Sequence, residues 1–144
     1  MENYNHFIRL CQLLGKHAAA KGEQAAGAII TLNNVIVSEA EEATINKNDI
    51  TCHAEIEAIR LATRKLNTTD LSGCVLFSTH EPCIMCSYAI RFYKIKKVIY
   101  RQRVNSLGGV SSTMPLLTTT DVPAHWTAPP QIIHMGNEEQ SLEG

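Results

Sequence analysis

The stretch CVLFSTHEPCIMC, residues 74–86, joins a predicted strand to a predicted helix. Residues 74–79 are short and rich in apolar side chains, which is typical of a buried strand. Pro82 then stands where the first turn of a helix tolerates proline, so we predict a helix over 83–94. The amino end of that helix carries a Cys-x-x-Cys pair, which makes this junction the first place to look for chemistry.

The chain before this stretch contains a second helix start that also carries metal-type residues. Its predicted elements, in chain order, are a helix over 4–20, strands over 27–32 and 35–37, and a helix over 53–67. Asn33-Asn34 separates the two strands and tolerates the positive φ angles of a tight hairpin turn. Thr51 is the predicted cap of the helix that begins at His53.

The chain after this stretch contributes short strands and turns. We predict strands over 97–100 and 131–134, a turn-rich stretch from about 104 onward, and a polar tail over 137–144. Strands that alternate with helices favour a three-layer α/β/α fold whose sheet is parallel in its second half. Ligands of such sheets bind beyond the carboxyl ends of the strands, where helices begin.

Length and charge narrow the class of protein further. The 144 residues and 15.9 kDa fit one domain over 1–144, with its core over about 4–117. The net charge of −1, from 13 Lys plus Arg and 14 Asp plus Glu, implies no general attraction to nucleic acid or anionic membrane. No apolar run reaches the roughly 18 residues of a membrane span, and the first residues lack a secretory signal. We therefore expect a cytoplasmic protein without a membrane partner.

The five cysteines are odd in number, which favours free thiols or metal ligands in a reducing compartment over a disulfide framework. Cys11 and Cys74 lie in apolar stretches and are predicted to be small core residues. Cys52 precedes the histidine of the second helix start, so we place it at the pocket lining. These assignments leave Cys83 and Cys86 for a metal.

The two helix starts together form His-x-Glu followed by Pro-Cys-x-x-Cys. His53, Cys83 and Cys86 supply three of the four tetrahedral ligands of a zinc ion, which leaves one position for water, as in catalytic sites. Such a water can lose a proton near neutral pH. Glu55 lies two residues after His53, which is poor spacing for a fourth ligand, so we assign it as the base beside the water.

Structural, non-catalytic interpretations of the same residues stay open. His80 could close the metal site as a fourth ligand, as Cys52 or Cys74 could, and the protein would then be a non-enzymatic, zinc-stabilised binding module. Glu55 could be a first-turn acid that favours the helix dipole. Glu57 is more readily explained as a surface partner of Arg60 than as a group that supports the metal site.

With these residues identified, the chain resembles the cytidine deaminase-like zinc deaminases, in the branch of guanine, fungal-type cytosine and tRNA adenosine deaminases. The resemblance covers about 7–117 and includes the Gly108-Gly109 loop. It implies a five-stranded mixed sheet, hydrolytic deamination of an amino-substituted base, one zinc ion per chain and a homodimer. It also implies that Glu55 is the proton shuttle and that the backbone amide of Ala54 contacts the substrate.

One departure from that branch bears on the substrate. Ungapped counting places Glu42 where the branch has a base-binding Asn, and an ionised Glu accepts hydrogen bonds without donating them. This favours a base edge rich in N–H donors, such as that of guanine or isocytosine. Glu39 and Glu41 are expected to add negative charge near the pocket mouth or to lie in a solvated loop.

Three further residues are predicted to contact the substrate. His80 and Glu81 lead into the Cys-x-x-Cys pair, and Trp126 lies in the turn-rich stretch, where it either stacks on a bound base or anchors the loop. Six cations lie between 91 and 103, interleaved with aromatic residues. Such a run fits an RNA surface, although a solvated helix end explains it more simply.

The sequence thus predicts a zinc-dependent hydrolytic deaminase of a free nucleobase or small nucleoside with a guanine-, cytosine- or isocytosine-like edge. In this interpretation zinc-bound hydroxide attacks the amino-bearing carbon and ammonia leaves, with Glu55 as the proton shuttle. The alternative is a tRNA wobble-adenosine deaminase that converts adenosine to inosine, and tRNA is a partner only in that case.

Overall fold

The computed structural model describes residues 3–136 and contains three helices and five strands within that range. The helices are α1 (Tyr4–Ala20), α2 (Ala54–Leu66) and α3 (Ile84–Phe92). The strands are β1 (Gly27–Leu32), β2 (Val35–Glu41), β3 (Cys74–His80), β4 (Lys97–Gln102) and β5 (Gln131–His134). Every predicted element is present, and the predicted tail over 137–144 lies outside the described residues.

The element ends differ from the prediction in ways that matter for the site. β2 continues to Glu41, well past its predicted end, and α3 ends at Phe92. The predicted cap of α2 is wrong: the N-cap is His53, whose backbone is extended (φ −62°, ψ 152°). The Thr51 hydroxyl instead donates to Asp49 and accepts from Arg60.

The sheet is mixed, with strand order β2-β1-β3-β4-β5. β1 pairs antiparallel with both β2 and β3, while β3, β4 and β5 are parallel, as the sequence predicted for the second half. Because β2 and β3 are both antiparallel to β1, they run in the same direction, and their carboxyl ends meet at one edge of the sheet. The segments that lead into α2 and α3 therefore start at the same end of the sheet, on either side of β1.

The two faces of the sheet bury different helices. One face packs against α1 and includes Ile29, Phe77 and Ile99, while the other packs against α2 and α3 and includes Ile30 and Leu76. Successive strand residues alternate between the faces, because the side-chain period of a strand is two. The α/β/α layering follows from this alternation, and no described helix has the length and hydropathy needed to cross a membrane.

The α1 layer approaches β1 closely at Gly27. A Cβ atom at this position would overlap the carbonyl oxygen of Cys11 and lie 2.7 Å from Leu14 Cβ. Only a residue without a side chain lets the helix rest on the first strand here.

We expect Gly27→Ala to destabilise the protein by about 1–3 kcal/mol, because a backbone shift must relieve the overlap. Thermal unfolding should show a Tm lower by roughly 3–12 °C. Gly73→Ala is the matched control, since its nearest contact would be the flexible Leu32 side chain at 3.2 Å. Equal Tm values for the two variants would contradict this account of α1 packing.

Candidate active site

Both helix starts place a metal-type residue at the N-cap. His53 caps α2 and Cys83 caps α3, each with extended backbone and without a side-chain capping bond. Their carbonyls accept the first helical bonds, from Glu57 and Ser87. Because neither side chain is used for capping, both are free to point across the sheet edge toward each other.

The three predicted ligands form a compact cluster. His53 Nδ1 lies 3.6 Å from Cys83 Sγ and 3.5 Å from Cys86 Sγ. A tetrahedral zinc ion with Zn–N of ~2.0–2.1 Å and Zn–S of ~2.3 Å separates its nitrogen and sulfur ligands by roughly 3.6 Å. The donor set and its spacing therefore fit zinc. Among the described residues, no other group of three or more His, Cys, Asp or Glu residues has its ligand atoms all within 4.8 Å of one another.

The electrostatics of the cluster favour a thiolate at Cys83 beside a protonated His53. A hydrogen bond from Cys86 lowers the pKa of the Cys83 thiol to about 4 and raises the pKa of Cys86. The hydrogen bond between Cys83 and His53 raises the pKa of the imidazole to about 9. One thiolate is thus present before a metal binds, and zinc binding would release protons from His53 and Cys86.

Glu55 lies beside the ligands and is fully enclosed. One carboxylate oxygen, Oε1, is 3.8 Å from Cys86 Sγ, while the other accepts a hydrogen bond of 3.0 Å from Ser78 Oγ. Burial raises the pKa of Glu55 to about 7, which suits a group that must both take and give a proton near neutral pH. Sequence analysis missed Ser78, although it is the small polar residue on the inner face of an apolar strand.

Glu42 lies beside the start of α2 and binds the amide that the resemblance assigns to the substrate. Its Oε1 accepts a hydrogen bond of 3.0 Å from Ala54 N–H, and the residue is 6% exposed. Burial raises the pKa of this carboxyl. In this structure the Ala54 amide is thus satisfied by a protein carboxylate, and substrate contacts by Ala54 and Glu42 stay predictions.

The predicted acidic cluster does not assemble at the pocket mouth. Glu39 is exposed on β2, and Glu41 pairs with His17 at 2.6 Å and with Lys21 at 3.3 Å. Alternation along β2 explains why the prediction is wrong: the side chains of Glu39 and Glu41 point to one face of the sheet, whereas Glu42 points to the other. Of the three predicted acidic residues, only Glu42 turns toward the start of α2.

His80 does not close the metal site. Its Nδ1 lies 2.9 Å from Thr79 Oγ1, and its nitrogens are not part of the ligand cluster. Neither Cys52 nor Cys74 belongs to that cluster; Cys52 Sγ accepts from Arg60 at 3.5 Å, and Cys74 lies in the core. The closed structural site is therefore wrong for this geometry, and a substrate contact by His80 stays a prediction.

Glu81 holds a loop against the amino end of α3. One oxygen accepts from Val104 N–H, and the other accepts from Val110 and Ser111 N–H at 2.8 and 2.7 Å. A Cβ atom on Gly108 would collide with this carboxylate. The carboxylate is thus engaged by three amides, which explains the Gly-rich loop, and a substrate contact by Glu81 stays a prediction.

Trp126 packs on the outer side of α3. Its ring lies 5.8 Å from the Tyr88 ring, and the Arg91 guanidinium carbon is 5.0 Å from its centroid. Arg91 is buried and donates to the carbonyls of Leu116, Thr119 and Thr127. These are the contacts of an anchor, and stacking of Trp126 on the reacting base stays a prediction.

The remaining assignments concern residues around the site. Glu57 pairs with Arg60 at 2.7 Å, as predicted, and with Lys47, although its side chain is only 12% exposed. Cys11 is buried in the α1 core, as predicted. The basic run, defined as the six cations between residues 91 and 103, is only partly exposed, because Arg91 and Arg101 are buried.

The fold and the cluster define a class of protein in which three residues would hold a zinc ion beside a buried carboxylate, with a fourth position left for water. The family described as "Cytidine and deoxycytidylate deaminase zinc-binding region" matches residues 1–102. The chain belongs to this family, and it is a zinc-dependent deaminase, a hydrolase that acts on C–N bonds.

Named relatives cover most of the chain. A protein of Aquifex aeolicus (strain VF5) named tRNA-specific adenosine deaminase is 43% identical over 112 residues, which are 78% of this chain and 74% of that relative. A Bacillus subtilis (strain 168) protein named guanine deaminase is 39% identical over 74 residues, 51% of this chain and 47% of that protein.

Solved structures confirm the fold. One, from a study of A-to-I editing by tRNA:A34 deaminases at the wobble position of transfer RNA, superposes with a TM-score of 0.82 and 29% identity, covering 90% of this chain and 97% of that one. The structure of guanine deaminase from Bacillus subtilis gives a TM-score of 0.69 at 26% identity, covering 98% and 92%.

We expect about one zinc ion per chain in the purified protein, and its loss in His53→Ala and Cys86→Ser, because each removes one of three ligands. His80→Ala is the control and should retain zinc. Metal content after dialysis, measured by mass spectrometry, checks this. A His80→Ala protein that loses zinc as completely as His53→Ala would show that the site is closed.

Proposed function

We propose that this enzyme deaminates adenosine in tRNA. The observation that carries the proposal is the site's open three-ligand centre with Glu55 beside it, in a chain 43% identical over 112 residues to a protein named tRNA-specific adenosine deaminase. The structural match with 97% of a chain from the study of tRNA:A34 deaminases supports the same substrate. Guanine deaminase is matched over a shorter part of the sequence.

The proposed reaction is hydrolysis at the amino-bearing carbon of the base. When bound, zinc supplies the activation of water. Glu55 takes one proton from the attacking water and passes it to the neighbouring ring nitrogen, N1 of adenine. It then takes the second proton from the hydroxyl now attached to the carbon and gives it to the departing amine as the C–N bond breaks, so adenosine and water become inosine and ammonia. Ser78 holds Glu55 through its Oε2, which leaves Oε1 directed at the metal side.

A surface for the tRNA backbone would come from the exposed part of the basic run. Lys94, Lys96 and Arg103 are exposed, whereas Lys97 donates to the Tyr4 hydroxyl at 3.1 Å. Within the basic run, the cations that can meet phosphates are therefore those in the segment after α3 and at the end of β4.

A free base with a donor-rich edge is the second candidate substrate, and Glu42 is the observation that favours it. A buried acceptor beside the helix start suits N–H groups such as those of guanine or isocytosine. Adenine offers its amino group as its one N–H donor, so it matches this carboxylate less fully. The deaminase of a free nucleobase that the sequence predicts is therefore kept as the second candidate.

We expect Glu55→Gln to retain zinc and to lose turnover by about 10²–10⁴-fold, because an amide cannot take the proton from water. Ammonia release and metal content are the two measurements. Glu57→Gln is the matched control, since that carboxylate lies on the same helix but pairs with Lys47 and Arg60 and is outside the ligand cluster. A Glu55→Gln enzyme with near-normal turnover would remove the proton shuttle from the mechanism.

An ammonia-release screen over tRNA, adenosine, guanine, isocytosine and cytosine decides between the two substrates, and we expect release from tRNA. Release from a free base with none from tRNA would transfer the function to the second candidate. In that case Glu42→Gln, which replaces an acceptor by a donor of the same shape, should raise KM roughly 5–100-fold with zinc retained. An unchanged KM would remove Glu42 from substrate recognition.

A further inference from the structure

A second cavity lies on the outer side of α3, and none of the metal ligands lines it. Its volume is about 310 Å³, and its walls include Phe92, Trp126, Lys94, Arg91, Asp70 and His125. A volume of this order lies at the lower end of the range of small-molecule sites. The cavity plays no part in the hydrolysis described above.

Two aromatic side chains form its apolar walls. Phe92 is 56% exposed at the end of α3, although a large apolar side chain at that position gains nothing from contact with water. Tyr88 extends the aromatic surface toward Trp126, with centroid distances of 6.1 Å to Phe92 and 5.8 Å to Trp126. Aromatic surfaces of this kind stack on nucleobases, because every base has a π face.

The wall formed by Trp126 is held in place before any ligand binds. Arg91 lies over the indole ring and is itself fixed by three carbonyls of the loop that carries the tryptophan. A ring that is already immobilised loses little conformational entropy when a ligand stacks on it. This preorganisation distinguishes the cavity from a chance groove between exposed side chains.

The charge of the cavity is positive. Arg91 and Lys94 outnumber Asp70 among the ionised side chains of its lining, and His125 adds a further nitrogen. The Asp70 carboxylate is partly occupied, since it accepts a hydrogen bond of 3.0 Å from Ser72 N–H. A ligand with an aromatic ring and an anionic group would therefore match both the walls and the charge.

We propose that this cavity binds a nucleotide, with its base against Phe92 and Trp126 and its phosphate at Lys94. The nucleotide can be free or can belong to a single strand of nucleic acid, since both offer the same base and phosphate. The site is separate from the metal centre, and it does not require that tRNA be the substrate.

Trp126 is the protein's single tryptophan and lines this cavity, so its fluorescence reports on ligands that stack there, and the variants below assign the signal to this cavity. We would titrate the zinc-loaded Glu55→Gln protein, which should not turn over its ligands, with adenosine 5′-monophosphate, adenosine and a short oligoadenylate. We expect saturable quenching by the monophosphate, by the oligonucleotide or by both, and weaker quenching by adenosine. Quenching by the oligonucleotide alone assigns the site to a strand, and quenching by the monophosphate assigns it to a free nucleotide.

Variants separate stacking and charge from an effect on folding. Phe92→Ala should weaken binding roughly 5–100-fold, Phe92→Tyr should retain it, and Lys94→Gln should weaken it and reduce its dependence on salt. Leu61→Ala and Lys65→Gln are the matched controls, because both alter exposed α2 residues outside this cavity. Unchanged zinc content and Tm confirm that the variants fold.

Two results would overturn the proposal. One is the absence of saturable quenching by any of the three ligands up to about 1 mM, the range of very weak binding. The other is a fluorescence change that follows protein concentration and not ligand concentration, which would show that a second copy of the chain covers these aromatic rings.

Discussion

The convergence of two helix starts at one edge of the sheet is the constraint on which the site depends. β1 pairs antiparallel with both β2 and β3, so that Glu41, opposite Gly27, and Ser78, opposite Ala28, lie on either side of the same stretch of β1. The chain then enters α2 through His53 and α3 through Cys83, and the ligand atoms meet across a gap of 3.6 Å. Strand direction, more than any single contact, creates the metal centre.

Two buried carboxylates beside this centre differ in what they contact. Glu55 has one oxygen on the metal side and the other on Ser78, whereas Glu42 is tied to the amide of Ala54. A carboxylate with an oxygen free of strong donors can exchange protons, while one that accepts from a backbone amide is held as an acceptor. Two residues of the same type thus have different environments, and position alone makes the difference.

Much of this could be predicted from the sequence because the signals are local. The periodicity of α1, the Asn33-Asn34 turn, whose φ angles are 53° and 64°, and the short motifs around His53 and around Cys83 and Cys86 each depend on neighbouring residues. Contacts between distant segments were not predictable in this way. The hydrogen bond from Ala54 N–H to Glu42 depends on how the chain changes direction after β2, and no pattern in the sequence encodes that path.

The basic run shows a different limit. Counting cations cannot separate Arg91, which is buried under a loop and fixes Trp126, from Lys94, which is exposed. Likewise, the position of Glu81 just before the Cys-x-x-Cys pair predicts a residue of the substrate pocket. In the structure its carboxylate accepts hydrogen bonds from three loop amides. In both cases the loop over 104–127 determines the role, and loops without periodicity cannot be placed from sequence.

X-ray absorption spectroscopy of the zinc-loaded protein tests the central claim most directly, namely that His53, Cys83 and Cys86 hold a zinc ion with one position left for water. The account predicts two sulfur ligands at about 2.3 Å and two nitrogen or oxygen ligands at about 2.0–2.1 Å, with the scattering of a single imidazole. A second imidazole or a third sulfur in the coordination shell would contradict it.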